Sequence, residues 1–245
     1  MLFLQYNIGM QKIEQRPFRI MSPLIAGVLN DEDISRLQPD ALAPVDLIEL
    51  RIDLCVAAMD EKRAEALAIA TRQRFGKPIL ATIRHPSEGG QRDFDNRVAL
   101  YAALAPHVEA VDIEISAAGE LKQVRDVCTK SKTLLVASYH NFLITPDDDA
   151  LEVIHTTGRS LGADIVKLAL MPQSREDIFR IVSFTMRHRT EKIITIGMGE
   201  LGASTRLFTP LLGSLITYGT ITRTTAPGQL SAEELAGLFQ RLSIR

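Results

Sequence analysis

The chain has 245 residues, 46% of them apolar, enough for a large buried core and close to the ~250 residues of an α/β barrel. Its 28 basic and 30 acidic residues nearly cancel, and no run of like charge is longer than Asp147-Asp148-Asp149, which argues against a nucleic-acid footprint. No apolar run approaches a membrane span, and Met1 to Met10 lacks the basic start of a signal peptide, so a soluble, cytoplasmic protein without membrane or nucleic-acid partners is expected.

Residues 1–22 carry apolar side chains on either side of Gly9 and Pro17 and are expected to form a hairpin that closes the bottom of the fold. Pro23 to Leu29 reads as a first buried strand, and Asp31 to Leu37 as a short helix. Val45 to Ile52 is a second strand. Asp60 to Phe75 repeats Ala64, Leu67, Ala68, Thr71 and Phe75 at helical spacing, and stops at Gly76 with Pro78 beyond. Pro78 to Arg84 is a third strand, followed by a Gly89-Gly90 loop and a helix from about Asp93 to Leu104. Val111 to Ile115 is the fourth, Ala118 to Thr129 the helix after it, and Thr133 to His140 the fifth.

The next helix is expected to start with Thr145 as cap and Pro146 at its first position. Ala163 to Leu170 is the sixth strand, between turns at Leu161-Gly162 and Met171-Pro172. Ser174 and Asp177 open the following helix in capping-box fashion. Lys192 to Met198 is the seventh strand, a short helix lies near Thr205 to Leu212, and Leu215 to Thr222 is the eighth strand. Ser231 and Glu234 cap a last helix with Leu235, Leu238, Phe239 and Leu242 on its apolar face.

Strands alternating with helices imply a parallel sheet with helices outside. Eight such units without a linker favour closure into one (β/α)8 TIM barrel spanning residues 1–245 as a single domain. No Gly-x-Gly-x-x-Gly follows the first strand, which removes the usual sign of a dinucleotide fold. Cys55 and Cys128 have no metal-like spacing and read as reduced core thiols.

In a barrel of this kind the site sits at the carboxyl ends of the strands. Those ends present Glu49, Arg51, Arg84, Asp112, Glu114, His140, Lys167 and Met198, with Glu88, Arg206 and Gln229 in loops. Lys167 interrupts an apolar, β-branched run, which is costly because lysine is rarely buried unpaired. Either it reaches the rim or pairs with a carboxylate such as Glu49 or Glu114, or it is a neutral nucleophile that forms a Schiff base with a ketone. His140 lies on the neighbouring strand and should share its cavity. The remaining histidines, His85, His107, His155 and His188, lie in loops or helices and receive no role. Arginines ringing a lysine and a histidine suit a polyhydroxylated carbonyl acid, since guanidinium forks hold a carboxylate and their field helps keep the amine neutral.

Glu49-Leu-Arg51-Ile-Asp53, Thr82-Ile-Arg84 with Glu88-Gly-Gly90, Ser138-Tyr-His140, Asp164-Ile-Val-Lys167 with Met171-Pro172, Ser204-Thr-Arg206 and Ala226-Pro-Gly-Gln229 occur in one order and spacing. From Pro23 onward the chain thereby resembles the type I 3-dehydroquinate dehydratases. The resemblance implies a shikimate-pathway lyase that converts 3-dehydroquinate to 3-dehydroshikimate with no metal or organic cofactor. By position, Lys167 would form the imine and His140 would transfer protons, titrating near the operating pH. Arg206 would clamp the substrate carboxylate, and Glu49, Arg51, Arg84, Thr225 and Gln229 would bind elsewhere on the substrate. Glu88 would orient the site, Asp112 would sit as a buried acid behind the histidine, and residues 224–229 would form a lid. The family also implies a homodimer.

Three positions depart from the family's pattern: Thr225 for a lid serine, Ala26 for a serine on the first strand, and Ile196 for a methionine. Two competing readings are a Schiff-base aldolase, with Gly197-Met-Gly199-Glu-Leu-Gly202 as a phosphate loop, and a non-catalytic sensor of quinate-like ligands. Glu200 would repel a phosphate, and binding alone does not require an amine beside a base.

Overall fold

Alternation along each strand decides what faces the barrel axis and what faces the helices. The computed structural model describes residues 23–57, 59–221 and 230–242. The hairpin expected at 1–22 and the lid 224–229, with Thr225 and Gln229, lie outside these residues. The strands are β1 (Leu24–Leu29), β2 (Leu47–Arg51), β3 (Ile79–Thr82), β4 (Ala110–Glu114), β5 (Leu134–Asn141), β6 (Ile165–Leu170), β7 (Ile193–Gly197) and β8 (Ile216–Tyr218). The helices that follow them in turn are α1 (Asp31–Arg36), α2 (Glu61–Phe75), α3 (Arg97–Leu104), α4 (Ala118–Ser131), α5 (Asp148–Ser160), α6 (Arg175–Arg187), α7 (Thr205–Leu211) and α8 (Ala232–Arg241).

Hydrogen-bonded neighbours run β7-β6-β5-β4-β3-β2-β1-β8, and the named pairs are parallel. The ring closes where the Leu215 amide donates to the Ile193 carbonyl at 2.9 Å. This is the (β/α)8 barrel expected from the alternation.

Two cores result. Outward residues such as Ile48, Ile79, Val111, Leu135, Val166 and Ile193 pack with Tyr101, Ile181, Phe184, Leu235 and Phe239 of the helices. Inward residues Leu47, Leu80, Leu134, Val136, Ile165, Ile194 and Ile216 form a separate apolar plug. The plug fills the lower half of the barrel, so the charged inward residues further along the same strands are confined to its carboxyl-end mouth. At the opposite end, an acid ahead of an even-numbered strand accepts the first free amide of the strand before it. Asp46 takes Ile25 at 2.9 Å, Glu109 takes Ile79 at 2.7 Å and Asp164 takes Leu135 at 2.8 Å.

The expected capping box is complete at Ser231 and Glu234, and α2 ends at Gly76 with φ +61°. At α6 only half of it forms: Ser174 accepts the Asp177 amide, but the Asp177 carboxylate takes the Gln173 amide at 2.9 Å instead of that of Ser174. Two starts differ. α5 begins at Asp148, because Asp147 rather than Thr145 accepts the free amide of Ala150 at 2.8 Å. A carboxylate also suits the positive end of the helix better than a hydroxyl does. α3 begins at Arg97 rather than Asp93, whose side chain takes the Phe94 amide at 2.9 Å and favours a turn. β8 is also shorter than expected, because after Tyr218 the chain turns to hydrogen-bond with residues ahead of α8, Thr220 to Leu230 at 3.1 Å.

Candidate active site

All six residues of β6 are buried, and Lys167 is its only charged side chain. Its Nζ donates to Asp112 Oδ2 at 3.0 Å, lies 3.7 Å from Glu49 Oε1, and stands 4.8 Å from the centre of the Tyr218 ring. Strand register explains the grouping. Lys167 pairs with Ser138 across β5–β6, Ser138 with Glu114 across β4–β5, Asp112 with Thr82 across β3–β4, and Thr82 with Arg51 across β2–β3. His140 lies two residues beyond Ser138 on the same face of β5, one step nearer the mouth than the lysine.

Asp112 is fully buried beneath the amine. Its Oδ1 accepts from Arg84 at 2.7 Å and from Ser138 Oγ at 2.6 Å. Arg84 in turn donates to Glu114 at 2.9 Å, and Arg97 of α3 closes on the other oxygen of Glu114. Thr82 Oγ1 donates to Glu49 at 2.7 Å. Arg51 grips Asp53 with two hydrogen bonds of 2.9 and 2.7 Å. Buried charges of both signs therefore satisfy one another, as they must when water is excluded.

This network decides between the two readings of Lys167: the lysine is paired with carboxylates, Glu49 of the expected acids and Asp112, rather than held as a neutral amine. Burial lowers the Lys167 pKa, but the Asp112 and Glu49 carboxylates outweigh it, and the amine titrates above the ordinary lysine range. Asp112 shows the reciprocal effect. Burial raises its pKa, yet Arg84 and Lys167 hold it below the usual carboxylate value. The resting site is an ammonium–carboxylate pair: Arg84, which shares Asp112 with the amine, pulls the amine's pKa down, and the two carboxylates outweigh that pull. Among the described residues Asp112 makes no hydrogen bond to the histidine, and acts on it through its charge. Glu88 is the histidine's partner, accepting from the His140 amide at 2.9 Å and facing His140 Nδ1 at 3.1 Å, while Ser116 holds its other oxygen at 2.6 Å. Glu88 can be there because the loop folds back sharply. A Cβ at Gly90 would lie 1.9 Å from the Arg84 carbonyl oxygen, so only glycine permits the turn.

Burial, then Arg84 and Lys167, drive the His140 pKa well below 6.5 against the pull of Asp112. The imidazole is neutral at pH 7 and available as a base, rather than half-protonated as the sequence reading expects. Phe142 lies nearly parallel to it, ring centres 6.4 Å apart. At the far side of the mouth, Arg206 in the first turn of α7 donates to the Tyr218 carbonyl at 3.0 Å. Among the described residues no carboxylate pairs with it, in contrast to Arg51, Arg84 and Arg97. Ala26 and Ile196 lie in the inner apolar cluster with Ala169, and Met198 packs against it.

Three contributors escape sequence reasoning. Tyr218 faces the amine from β8, and Ile216-Thr-Tyr218 does carry the alternation that would have placed it inward. Asp53 anchors Arg51 from a 3-10 turn beyond β2, and Arg97 reaches Glu114 from a helix where arginine normally reads as a solvent-facing residue. The glycines of the supposed phosphate loop have a packing role instead. A Cβ at Gly202 would lie 2.4 Å from the Gly197 carbonyl carbon, so they let a turn close onto the end of β7.

An apolar-plugged (β/α)8 barrel with its ionisable groups gathered at the carboxyl-end mouth has the construction of a barrel enzyme. The chain belongs to the type I 3-dehydroquinase family, whose model matches residues 28–244. It is 37% identical over 225 residues to a 3-dehydroquinate dehydratase of Thermodesulfovibrio yellowstonii, covering 91% of this chain and 97% of that one. Its fold matches the crystal structure of the 3-dehydroquinate dehydratase from Aquifex aeolicus with a TM-score of 0.80 at 31% identity, covering 89% of this chain and 98% of that one. A type I 3-dehydroquinate dehydratase of Clostridium difficile carrying covalently modified comenic acid matches with a TM-score of 0.82 at 27% identity, over 90% and 92% of the two chains. Among the described residues no helix is long and apolar enough to cross a membrane.

Proposed function

We propose that this chain dehydrates 3-dehydroquinate to 3-dehydroshikimate through an imine on Lys167, with His140 as the acid and base, as a cytoplasmic step of the shikimate pathway. The observation that carries this reading is the placement of Lys167 and His140 on one inner face of adjacent strands, with Arg206 across the mouth lacking an acidic partner among the described residues.

Lys167 starts as an ammonium, so its proton must leave before the amine can attack. The neutral His140 imidazole is the base positioned for it; the amine adds to the ketone, His140 returns the proton to the carbinolamine hydroxyl, which leaves as water, and Asp112 and Glu49 stabilise the cationic iminium that remains. His140 next removes a proton from the carbon beside the iminium, whose electrons move into the nitrogen. The resulting enamine expels the hydroxyl of the next carbon, which takes the proton from His140 and departs as water. Hydrolysis of the conjugated iminium returns the Lys167 amine and releases the enone acid. Glu88 keeps the imidazole turned toward the reacting carbon. Arg206 binds the substrate carboxylate, and Glu49, Arg51, Thr225 and Gln229 its hydroxyls and carbonyl region. Arg84 is committed to Asp112 and Glu114, so it acts by holding Asp112 under the amine. Residues 224–229 close over the substrate, and the enzyme works as a homodimer.

The test is a continuous assay of the ultraviolet absorbance of the enone. Native protein should produce it from 3-dehydroquinate, and His140→Ala should lose roughly 10²–10⁴-fold in kcat. Absence of turnover by folded native protein would leave the barrel a binding protein.

A further inference from the structure

Outside the barrel, α5 and α6 flank β6, the strand that carries Lys167. Glu152 and His155 lie one turn apart on α5, facing His188 and Glu191 just past the end of α6. His188 Nε2 is 2.9 Å from Glu152 Oε2, and its Nδ1 is 3.1 Å from Glu191 Oε1. The His155 ring lies with its centre 4.3 Å from that of His188, and Phe184 covers both. His155 is only 3% exposed, and its Nε2 has no hydrogen-bond partner among the described residues. The Glu191 Oε2 atom is 3.6 Å away, too far for a hydrogen bond.

A buried imidazole nitrogen without a hydrogen bond is costly. Here it points at the nitrogen and oxygen atoms that most often ligate transition metals. One ligand atom from each of Glu152, His155 and His188 falls within 4.8 Å of the others. A tetrahedral zinc ion, with bonds near 2.0–2.1 Å, needs its ligands about 3.3 Å apart, so a small inward movement would close the set. We propose that Glu152, His155 and His188 bind a divalent transition metal of the zinc class, with water as a fourth ligand. Glu191 accepts the Nδ1 proton of His188, which leaves its Nε2 lone pair free for the metal, a common arrangement behind ligating histidines. Arg187 Nε, 3.5 Å from Glu152 Oε1, is the competing cation, but its NH2 is already held by Asp148 at 2.6 Å. The metal would join the crossovers on either side of β6 and take no part in the chemistry at the mouth.

Without a metal, the same geometry describes a His188 ring that bridges two carboxylates. Calorimetric titration of the chelator-treated full chain with Zn²⁺ separates the two, with Co²⁺ absorption as a second readout. One saturable Zn²⁺ per chain is expected, together with the visible bands of four-coordinate Co²⁺. At about a hundred times its Kd, Zn²⁺ should raise Tm by roughly 5–10 °C. His155→Ala should lose binding at least 100-fold, and Glu152→Gln, at a half-exposed position that does not threaten folding, at least 10-fold. His140→Ala should bind Zn²⁺ as the native chain does, which places the ion outside the mouth. No stoichiometric binding by the native chain overturns the proposal, as does undiminished binding by Glu152→Gln, or loss of binding in His140→Ala.

Discussion

Replacing Asp112 by asparagine keeps the shape of the side chain and removes the charge that Lys167 and Arg84 share. Both cations are 3% exposed, with Asp112 3.0 Å from the amine and 2.7 Å from the guanidinium. Removing one partner of a buried pair costs about 3–5 kcal/mol, because the remaining charge has lost its compensation without regaining water. Here Glu49 stays 3.7 Å from Lys167 and Glu114 stays 2.9 Å from Arg84, so the lower end applies, about 3 kcal/mol. For a chain of this size that is a fall in Tm of roughly 6–12 °C. Urea unfolding at pH 7 measures it, with an unchanged m-value showing that the unfolded state is not the cause. The sign with pH follows from the lowered folded pKa of Asp112. Its contribution is complete above the ordinary value of 3.8 and is lost only as acid carries the group toward its folded value. In a Lys167→Met background the same change should cost less, since one of the two stranded cations is gone. A loss below about 1 kcal/mol in the native background, the size of an exposed pair, would refute the paired-charge account of the site.

Arg206→Ala should lower kcat/KM for 3-dehydroquinate about 10–100-fold, mostly through KM, the size of a lost hydrogen bond to a charged group. An unchanged KM would remove Arg206 from carboxylate binding. The acid limb of kcat/KM should lie below pH 6.5, because the His140 base is protonated only at its depressed pKa. A limb at or above that value would contradict the burial and the cationic neighbours seen around the ring. Glu88→Gln keeps an acceptor for the His140 amide but removes the charge beside Nδ1, and is expected to cut kcat while leaving KM nearly unchanged. A variant with native kcat would make Glu88 a structural residue only.

The barrel was legible because a parallel sheet with helices outside needs continuous apolar strands, and eight recur between capped helices. Lys167, His140 and Arg206 stood out because charge in or beside such strands is expensive. What the sequence hid is which charges meet. Whether the lysine rests on Asp112, Glu49 or Glu114 depends on strand stagger, and the answer, Asp112 with Glu49, selects the paired ammonium over the neutral amine that was the other reading. For the same reason Asp112 bonds the lysine and Arg84 and not the histidine. Glu88 reaches the histidine only through the backward fold at Gly90, which no linear spacing reveals. The start of α5 at Asp148 was set by competition between Thr145 and Asp147 for the free amides of its first turn. His155 and His188 looked unremarkable singly, although Glu152-x-x-His155 and His188-x-x-Glu191 mirror one another and could have been noticed.

The central claim is that Lys167 bonds covalently to the substrate ketone. Intact mass after mixing the native protein with 3-dehydroquinate and borohydride tests it directly, with Lys167→Ala alongside. A reduced adduct on the native chain that is absent from the variant is the expected result. Folded native protein without an adduct, while free ketone is still reduced, would contradict the claim.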